Sequence, residues 1–202
     1  MDRGPNGARA PTPRLSPATD RRLDLRSKDI PVTVTYLAME KRVISPPPPP
    51  PLMKTALLKA EHPPVHFYRY LYDVVGRPYF WVERRLWSDE QLKTLLANEK
   101  VSLYVLYLGG VPGGMAELDF REKGIGHLAY FGMTPEFTGR RIGPWFLHQV
   151  VELAWAEPIE KIVVNTCTLD HKKALATYQR AGFVPYSRAE RMVVLPPDFP
   201  KR

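Results

Sequence analysis

Apolar side chains recur along the chain with two spacings, one typical of strands and one typical of helices. Residues Ile30–Leu37 alternate β-branched residues with others, and this pattern predicts a first strand. Further along, Pro64–Val75 carries aromatic and aliphatic side chains at helical spacing and is followed by Gly76, which predicts a helix that ends at glycine. Ser88 and Gln91 have the spacing of a capping box, so a second helix is expected to begin there.

The middle of the chain is rich in strand-forming residues, and the last third alternates between helix and strand patterns. Three strands separated by glycine-containing turns are predicted at Val101–Leu108, Met115–Phe120 and Gly126–Met133. A helix, a strand, a helix and a strand are then predicted at Pro144–Ala156, Lys161–Asn165, His171–Ala181 and Met192–Leu195. This order of elements predicts an α/β (α+β) fold built on a mixed sheet.

Proline changes this picture at the N-terminal end. The chain of 202 residues contains 22 prolines, about twice the usual share, and thirteen of them lie within the first 64 residues. Residues 1–28 combine proline and arginine with few apolar side chains, which predicts a disordered basic tail before a single domain at residues 29–202. The six prolines Pro46–Pro51 predict an extended polyproline II insert, either a surface linker or a ligand for a proline-binding module.

The formal net charge of +8 raises the question of nucleic-acid binding. The basic residues are scattered, and the sequence has neither zinc-finger spacing nor an aromatic RNA-binding signature, so no nucleic-acid partner is expected. A single cysteine, Cys167, excludes an internal disulfide and a multi-cysteine metal site, and we expect no metal. No apolar run has the length and continuity of a membrane helix or a secretory signal, so we expect a cytoplasmic protein without a membrane partner.

The segment at residues 133–147, MTPEFTGRRIGPWFL, gives the clearest indication of chemistry. It joins a predicted strand to a predicted helix and contains Gly139 and Gly143. Such a turn directs backbone N–H groups, at the positive end of a helix dipole, towards a phosphate or pyrophosphate. Arg140 and Arg141 add positive charge at the same place. The alternative is an ordinary turn that uses glycine for a positive φ.

Two motifs together resemble the GCN5-related N-acetyltransferase (GNAT) superfamily. The first is PEFTGRRIG at residues 135–143, which lies between a predicted strand and a predicted helix. The second is HKKALATYQRAGF at residues 171–183, which is similar to the superfamily's later pattern through Ala174, Tyr178, Gly182 and Phe183. The resemblance extends over about residues 30–195. It implies a mixed, mostly antiparallel twisted sheet with flanking helices and a splayed central strand pair.

The resemblance also implies acetyl-CoA as the acyl donor and a primary amine, on a small molecule or a protein, as the acceptor. The positions that would contact acetyl-CoA are Phe131, Met133, Thr138, Gly139, Arg140, Arg141, Ile142, Gly143, His171 and Tyr178. Thr138 stands where the superfamily has Gln or Arg, Arg141 where it has glycine, and His171 where it has asparagine. Pro144 removes one backbone N–H from the turn. These departures from the motif affect how strongly CoA is expected to bind and do not affect the expected fold. The sequence leaves open whether the protein forms a homodimer.

Direct attack of an amine on the thioester requires a base for the ammonium proton and an acid for the departing thiolate. The resemblance assigns the acid to Tyr178, whose alternative role is packing between a helix and the sheet. The base is either His127 or Glu117, which lie on neighbouring predicted strands and have structural roles as alternatives. We interpret Cys167 as a buried or loop-lining thiol and Asp170 as the N-cap of the helix that carries Tyr178.

Aromatic residues cluster in the first predicted helix and the segment after it. In the superfamily this region borders the acceptor site, so the side chains either line an acceptor pocket or form the core of a small helical layer. The cluster comprises Phe67, Tyr68, Tyr70, Tyr72, Tyr79, Phe80 and Trp81. The predicted function is N-acetyl transfer. The alternative is a catalytically weak GNAT-fold module that binds acyl-CoA or a protein partner.

Overall fold

A seven-stranded sheet with helices on both faces forms the centre of the computed structural model, which describes residues 28–196 and residue 199. The strands are β1 (Lys28–Met39), β2 (Thr55–Lys59), β3 (Val101–Leu108), β4 (Val111–Asp119), β5 (Ile125–Met133), β6 (Lys161–Cys167) and β7 (Val184–Leu195). The helices are α1 (Val65–Gly76), α2 (Asp89–Leu96), α3 (Gly143–Trp155) and α4 (Ala174–Arg180). The predicted tail lies outside the described residues except for Lys28, and the domain boundary stays a prediction.

The strand order is β2-β3-β4-β5-β6-β1-β7, and every neighbouring pair is antiparallel except β5 and β6. Parallel pairing covers only Ile125–His127 of β5 and Lys161–Val163 of β6. Beyond these residues the two strands no longer pair. The sheet therefore divides into a β2–β5 half and a β6–β1–β7 half. This arrangement confirms the predicted mixed, mostly antiparallel sheet with a splayed central pair.

The first strand, β1, lies inside the β6–β1–β7 half. It pairs antiparallel with β6 on one side and, from Lys28 to Ala38, with β7 on the other. This interior position explains why Val32, Leu37 and Met39 are buried. The strand predicted at Ile30–Leu37 is confirmed and extends further at both ends.

Strand β2 is an element that the sequence pattern does not predict. Its residues, TALLK, do not alternate, and they follow a run of prolines, so the local signal is that of a loop. The strand forms because it pairs along its whole length with β3 at the edge of the sheet. The segment Tyr79–Glu83, expected to be a short strand or a turn, consists of turns, because one 3-10 helix ends at Tyr79 and another begins at Glu83.

The two faces of the sheet carry separate hydrophobic cores. Helices α3 and α4 cover one face, where Phe146 and Tyr178 belong to a core that includes strands from both halves of the sheet. Helices α1 and α2 cover the β2–β5 half on the other face, through Leu71 and Leu92. The predicted capping box of Ser88 begins α2 and is confirmed. On the face that carries α1 and α2, these helices therefore leave the β6–β1–β7 half uncovered.

The connection at residues 40–54 carries the chain from β1 to β2 and contains the six prolines. At its start Arg42 forms an ion pair with Glu152 of α3. Strand order puts β1 and β2 five steps apart, roughly 24 Å at about 4.8 Å per step. Six prolines in polyproline II extend about 19 Å, which is most of that distance. Pro48 and Pro51 are half-buried and the other four are exposed, as a helix with three residues per turn requires.

We expect Gly182→Ala to lower the free energy of unfolding more than Gly110→Ala does. Both glycines have a positive φ, +102° and +93°, which costs another residue about 1 kcal/mol. At Gly182 an added methyl group would also meet Cγ2 of Val43 at 2.5 Å, whereas at Gly110 it would meet no atom within 4 Å. Urea unfolding measures both losses. Equal losses would show that the Val43 contact does not anchor the connection.

Candidate active site

The splay between β5 and β6 opens a cleft of about 1710 Å³. Pockets for drug-sized ligands usually measure about 300–1,000 Å³, so this cleft has room for a long ligand and a second molecule. Its walls come from β5, β6, the turn before α3, the beginning of α4 and the segment that follows α1. Residues from β1 and β7 form its floor on the side of the sheet that α1 and α2 leave uncovered.

The wall formed by β5 has an unpaired backbone edge. One edge of β5 pairs with β4, while the pairing of the other edge with β6 stops at His127. Among the described strands, none pairs with that second edge from Leu128 to Met133, so its polar groups are left for a ligand or water. A bulge leaves Ala129 without a partner on β4 and bends the strand there. Phe131 and Met133 line the cleft, and their contact with acetyl-CoA stays a prediction.

The turn between β5 and α3 closes one end of the cleft. Gly139 has φ +83°, and no atom lies within 4 Å of the position that a Cβ would occupy. Arg141 also has a positive φ, +62°. The turn leads into the thirteen-residue helix α3, with Gly143 as its first residue. Open space, cationic side chains and a helix N-terminus together form a site suited to a pyrophosphate.

The structure brings most, but not all, of the predicted turn residues to the cleft. Thr138, Gly139, Arg141 and Gly143 line it. The Arg140 guanidinium lies over the ring of Phe137, 5.3 Å from its centroid, and Arg140 does not line the cleft. Ile142 is buried in the core beneath α3. Its position in the motif is therefore explained by packing.

Tyr178 lies on α4 and lines the cleft, although only 7% of the residue is exposed. Its ring centroid is 6.4 Å from that of Phe131 and 5.9 Å from that of Phe183. Burial, together with the charge of Asp170, raises the pKa of Tyr178 well above its ordinary value of 10.0. Within residues 28–196 no side chain or backbone group hydrogen bonds to its hydroxyl, so a protonated phenol is available to a ligand.

Asp170 does not cap α4, contrary to the sequence interpretation. The helix begins after Lys173, which caps it without a side-chain hydrogen bond. Asp170 instead accepts hydrogen bonds from the Thr166 hydroxyl at 2.7 Å and the Cys167 N–H at 2.9 Å, and it closes the loop after β6. Burial raises the pKa of Asp170 and also that of the half-buried Cys167 thiol. Both residues line the cleft, as does His171.

Of the two predicted bases, only His127 is in the cleft. Its Nε2 lies 2.8 Å from Oε2 of Glu122, at the end of the splay where β5 and β6 still pair. Glu117 is fully buried, accepts hydrogen bonds from the Tyr68 hydroxyl at 2.5 Å and the Arg84 guanidinium at 2.8 Å, and does not line the cleft. The structure therefore brings His127 and Tyr178 to the cleft and leaves Glu117 beneath its wall.

The sequence reasoning missed Glu83, an exposed carboxylate that lines the cleft. It accepts a hydrogen bond at 2.6 Å from the hydroxyl of Tyr130. It therefore lies beside the unpaired part of β5, which carries Tyr130. The available sequence signal was a carboxylate directly after a run of cleft aromatics, but no motif distinguished it from a surface residue.

The aromatic cluster divides between the two roles that the sequence left open. Tyr68 and Tyr72 are buried in the core between α1 and the sheet. Tyr79, Phe80 and Trp81, which follow the helix, line the cleft, and Tyr72 also reaches it. One part of the cluster is therefore helical core, and the other is a wall of the cleft.

The Acetyltransferase (GNAT) family profile matches residues 68–183, more than half of the chain. The chain belongs to this family. The resemblance based on the two motifs is thereby confirmed. The matched region runs from α1 to just after α4 and so contains β5, the turn and Tyr178, all of which border the cleft.

Solved structures share this fold at low sequence identity. A GCN5-related N-acetyltransferase from Sphaerobacter thermophilus is 18% identical, with a TM-score of 0.54 over 81% of this chain and 50% of its own. Spermidine N-acetyltransferase from Vibrio cholerae, in complex with CoA and spermine, is 17% identical, with a TM-score of 0.53 over 66% and 82%. An aminoglycoside acetyltransferase from an uncultured soil metagenomic sample is 14% identical, with a TM-score of 0.52 over 63% and 87%.

These similarities establish the fold and not the acceptor. This chain spans half the length of the Sphaerobacter protein. No curated protein matches the sequence significantly. In the part of the chain that the structure describes, no helix has both the length and the apolar character needed to cross a membrane.

We expect Glu117→Leu to lower the free energy of unfolding by about 3–5 kcal/mol, because it leaves the buried Arg84 guanidinium without its counter-charge. The double variant Arg84→Met/Glu117→Leu should recover most of this loss, since neither charge is then buried. Urea unfolding measures both variants. The control is Glu90→Gln on exposed α2, which should change stability by less than about 0.5 kcal/mol. A double variant no more stable than Glu117→Leu would contradict the account of the pair.

Proposed function

We propose that this protein transfers an acetyl group from acetyl-CoA to a primary amine. The observation that carries the proposal is the unpaired edge of β5, which runs from the glycine turn to the ring of Tyr178 in a chain of the GNAT family. One ligand that follows this edge would reach both an anion-binding turn and a buried acid. The soluble cytoplasmic setting predicted from the sequence is consistent with this chemistry.

Acetyl-CoA fits the residues that form this path. The backbone of Phe131 and Met133 would pair with the amide groups of the pantetheine arm, as an added strand would. Gly139, Arg141 and Gly143 would hold the pyrophosphate through backbone N–H groups and one guanidinium. Arg140 is turned onto Phe137 and contributes charge from a greater distance. These groups bind and orient the acyl donor.

In the proposed reaction, the amine nitrogen forms a bond to the thioester carbonyl carbon and the carbon–sulfur bond breaks. The proton on nitrogen passes to a base, and the thiolate takes a proton from the phenol of Tyr178. Glu83 is the base that we favour, because it lines the cleft and is bonded to Tyr130, which is next to Phe131 on β5, and the ring centroid of Phe131 is 6.4 Å from that of Tyr178. His127 is the alternative through a chain of water molecules. Glu117 has no route to the cleft in this proposal.

We expect Tyr178→Phe to reduce kcat by about 10²–10⁴-fold, because the thiolate then leaves without its acid. The dissociation constant for acetyl-CoA should be unchanged, since no donor is removed from the turn. Calorimetric titration measures binding, and release of the CoA thiol measures turnover. Tyr70→Phe, an exposed tyrosine of α1 outside the cleft, is the matched control.

Three outcomes are informative. An unchanged kcat in Tyr178→Phe would show that another group is the acid. Failure of the unmodified protein to bind acetyl-CoA would overturn the proposed function. Binding without release of CoA for any amine would favour the alternative of a catalytically silent acyl-CoA-binding module.

The pH dependence of kcat gives an independent test. Burial raises the pKa of Tyr178, so its phenol keeps the catalytic proton throughout the range below 10.0. We therefore expect kcat to rise with pH as the amine and the base lose protons, and not to fall again before about pH 10. Rates measured between about pH 6 and pH 10 check this. A fall in kcat below about pH 9 would show that the acid is a group with a lower pKa.

A further inference from the structure

The acceptor end of the cleft has a wall of three aromatic rings. The ring centroid of Tyr130 is 4.9 Å from that of Tyr72 and 5.0 Å from that of Trp81, and the Tyr72 and Trp81 centroids are 5.4 Å apart. Because the rings pack against one another and the Tyr130 hydroxyl is bonded to Glu83, the wall is held in place before any ligand arrives. Such a wall favours a flat apolar group.

Several Lys and Arg side chains line the cleft, and most of the carboxylates in it already form contacts within the protein. Asp119 forms an ion pair with Arg121 at 2.6 Å, and Glu122 lies 2.8 Å from His127. Asp170 accepts hydrogen bonds from the Thr166 hydroxyl and the Cys167 N–H, both at Oδ2, and these bonds hold it in the loop after β6. Each of these carboxylates therefore already takes part in a contact within the protein.

Glu83 is different. Within the described part of the chain it forms no ion pair, and the hydrogen bond that it accepts comes from a neutral phenol. Its carboxylate is exposed to the cleft at the edge of the aromatic wall. An ammonium group beside the wall would therefore meet the Glu83 carboxylate, which its hydrogen bond with the Tyr130 hydroxyl holds in place.

Glu40 also lines the cleft without an ion pair among the described residues, but it is remote from the wall. It follows Met39, which pairs with Ile162 of β6, and Ile162 in turn pairs with Gly126 of β5. Glu83 is instead bonded to Tyr130, four positions further along β5, which corresponds to roughly 13 Å of strand. Two ammonium groups a few bonds apart would not reach both carboxylates.

From this arrangement we infer that the acceptor is a monocationic primary amine with a flat apolar body, of the arylalkylamine class, and that Glu83 binds its ammonium group. The inference rests on the proposed function. The body packs on Tyr130 and Trp81, and the ammonium forms a charge-assisted hydrogen bond with Glu83 before it loses a proton. A polyamine gains one such contact, and its other ammonium groups extend into a cleft that also carries Lys and Arg side chains.

The substrate test uses 2-phenylethylamine, n-butylamine and spermidine with the full chain and saturating acetyl-CoA. We expect kcat/KM, measured by release of the CoA thiol, to be at least about tenfold higher for 2-phenylethylamine than for either other amine. Equal or higher kcat/KM for spermidine overturns the inference and leaves the proposed function standing. Bound acetyl-CoA with no release for any of the three amines also overturns it. Absence of acetyl-CoA binding overturns the proposed function itself.

Variants test the assignment of Glu83. Glu83→Gln keeps an oxygen for the Tyr130 hydroxyl but removes the charge, so KM for 2-phenylethylamine should rise by at least about tenfold. The dissociation constant of acetyl-CoA and the melting temperature should be unchanged. Glu99→Gln, an exposed carboxylate outside the cleft, is the matched control for charge. An unchanged KM in Glu83→Gln would show that the ammonium binds elsewhere.

Discussion

Three residue pairs join β5 to β6, and beyond them the two strands diverge although both continue for several residues. The divergence leaves a row of backbone donors and acceptors that must find partners, because an unpaired polar group away from water is costly. Side chains of α3, including Phe146 and Val150, share one core with residues of both halves of the sheet. The helix thereby holds the halves together while the strands separate. The cleft is thus a consequence of incomplete pairing inside an otherwise regular sheet.

This origin makes the cleft depend on the main chain more than on the side chains of the turn. Main-chain groups of β5 and of the α3 N-terminus are present whatever the side chains are, so Thr138 and Arg141 can replace the more common residues without removing the path for a ligand. What the turn does require is backbone freedom, and Gly139 supplies it at φ +83°.

A buried ion pair lies behind the aromatic wall formed by Tyr72, Trp81 and Tyr130. Arg84 donates to Glu117 on β4, and its guanidinium lies 4.0 Å from the Trp87 ring centroid and 5.2 Å from that of Tyr130. The attraction of Glu117 raises the pKa of Arg84 despite its burial, so the cation persists. The pair therefore connects β4 to the ring that holds Glu83. The pair is a structural element of the wall and does not line the cleft on the Glu117 side.

Local patterns in the sequence predicted much of this molecule. Alternation and helical spacing predicted most strands and helices, and the two motifs contain Tyr178 and the turn, both of which border the cleft. The failures arose where tertiary packing decides. Pairing with β3, rather than its own residues, makes β2 a strand. Glu117 and Glu83 are both carboxylates near aromatic residues, and only the fold determines which one is buried beside an arginine.

The interior position of β1 has a consequence for how the chain folds. Lys28 pairs with Leu195, which is 167 positions later in the sequence, and Val34 pairs with Cys167. Contacts between such distant residues require closure of very long loops, which slows folding. During synthesis, β1 is made before β6 and β7, and it cannot pair with them until they have been made. Until then its apolar residues, including Val32, Leu37 and Met39, have no strand to pair with.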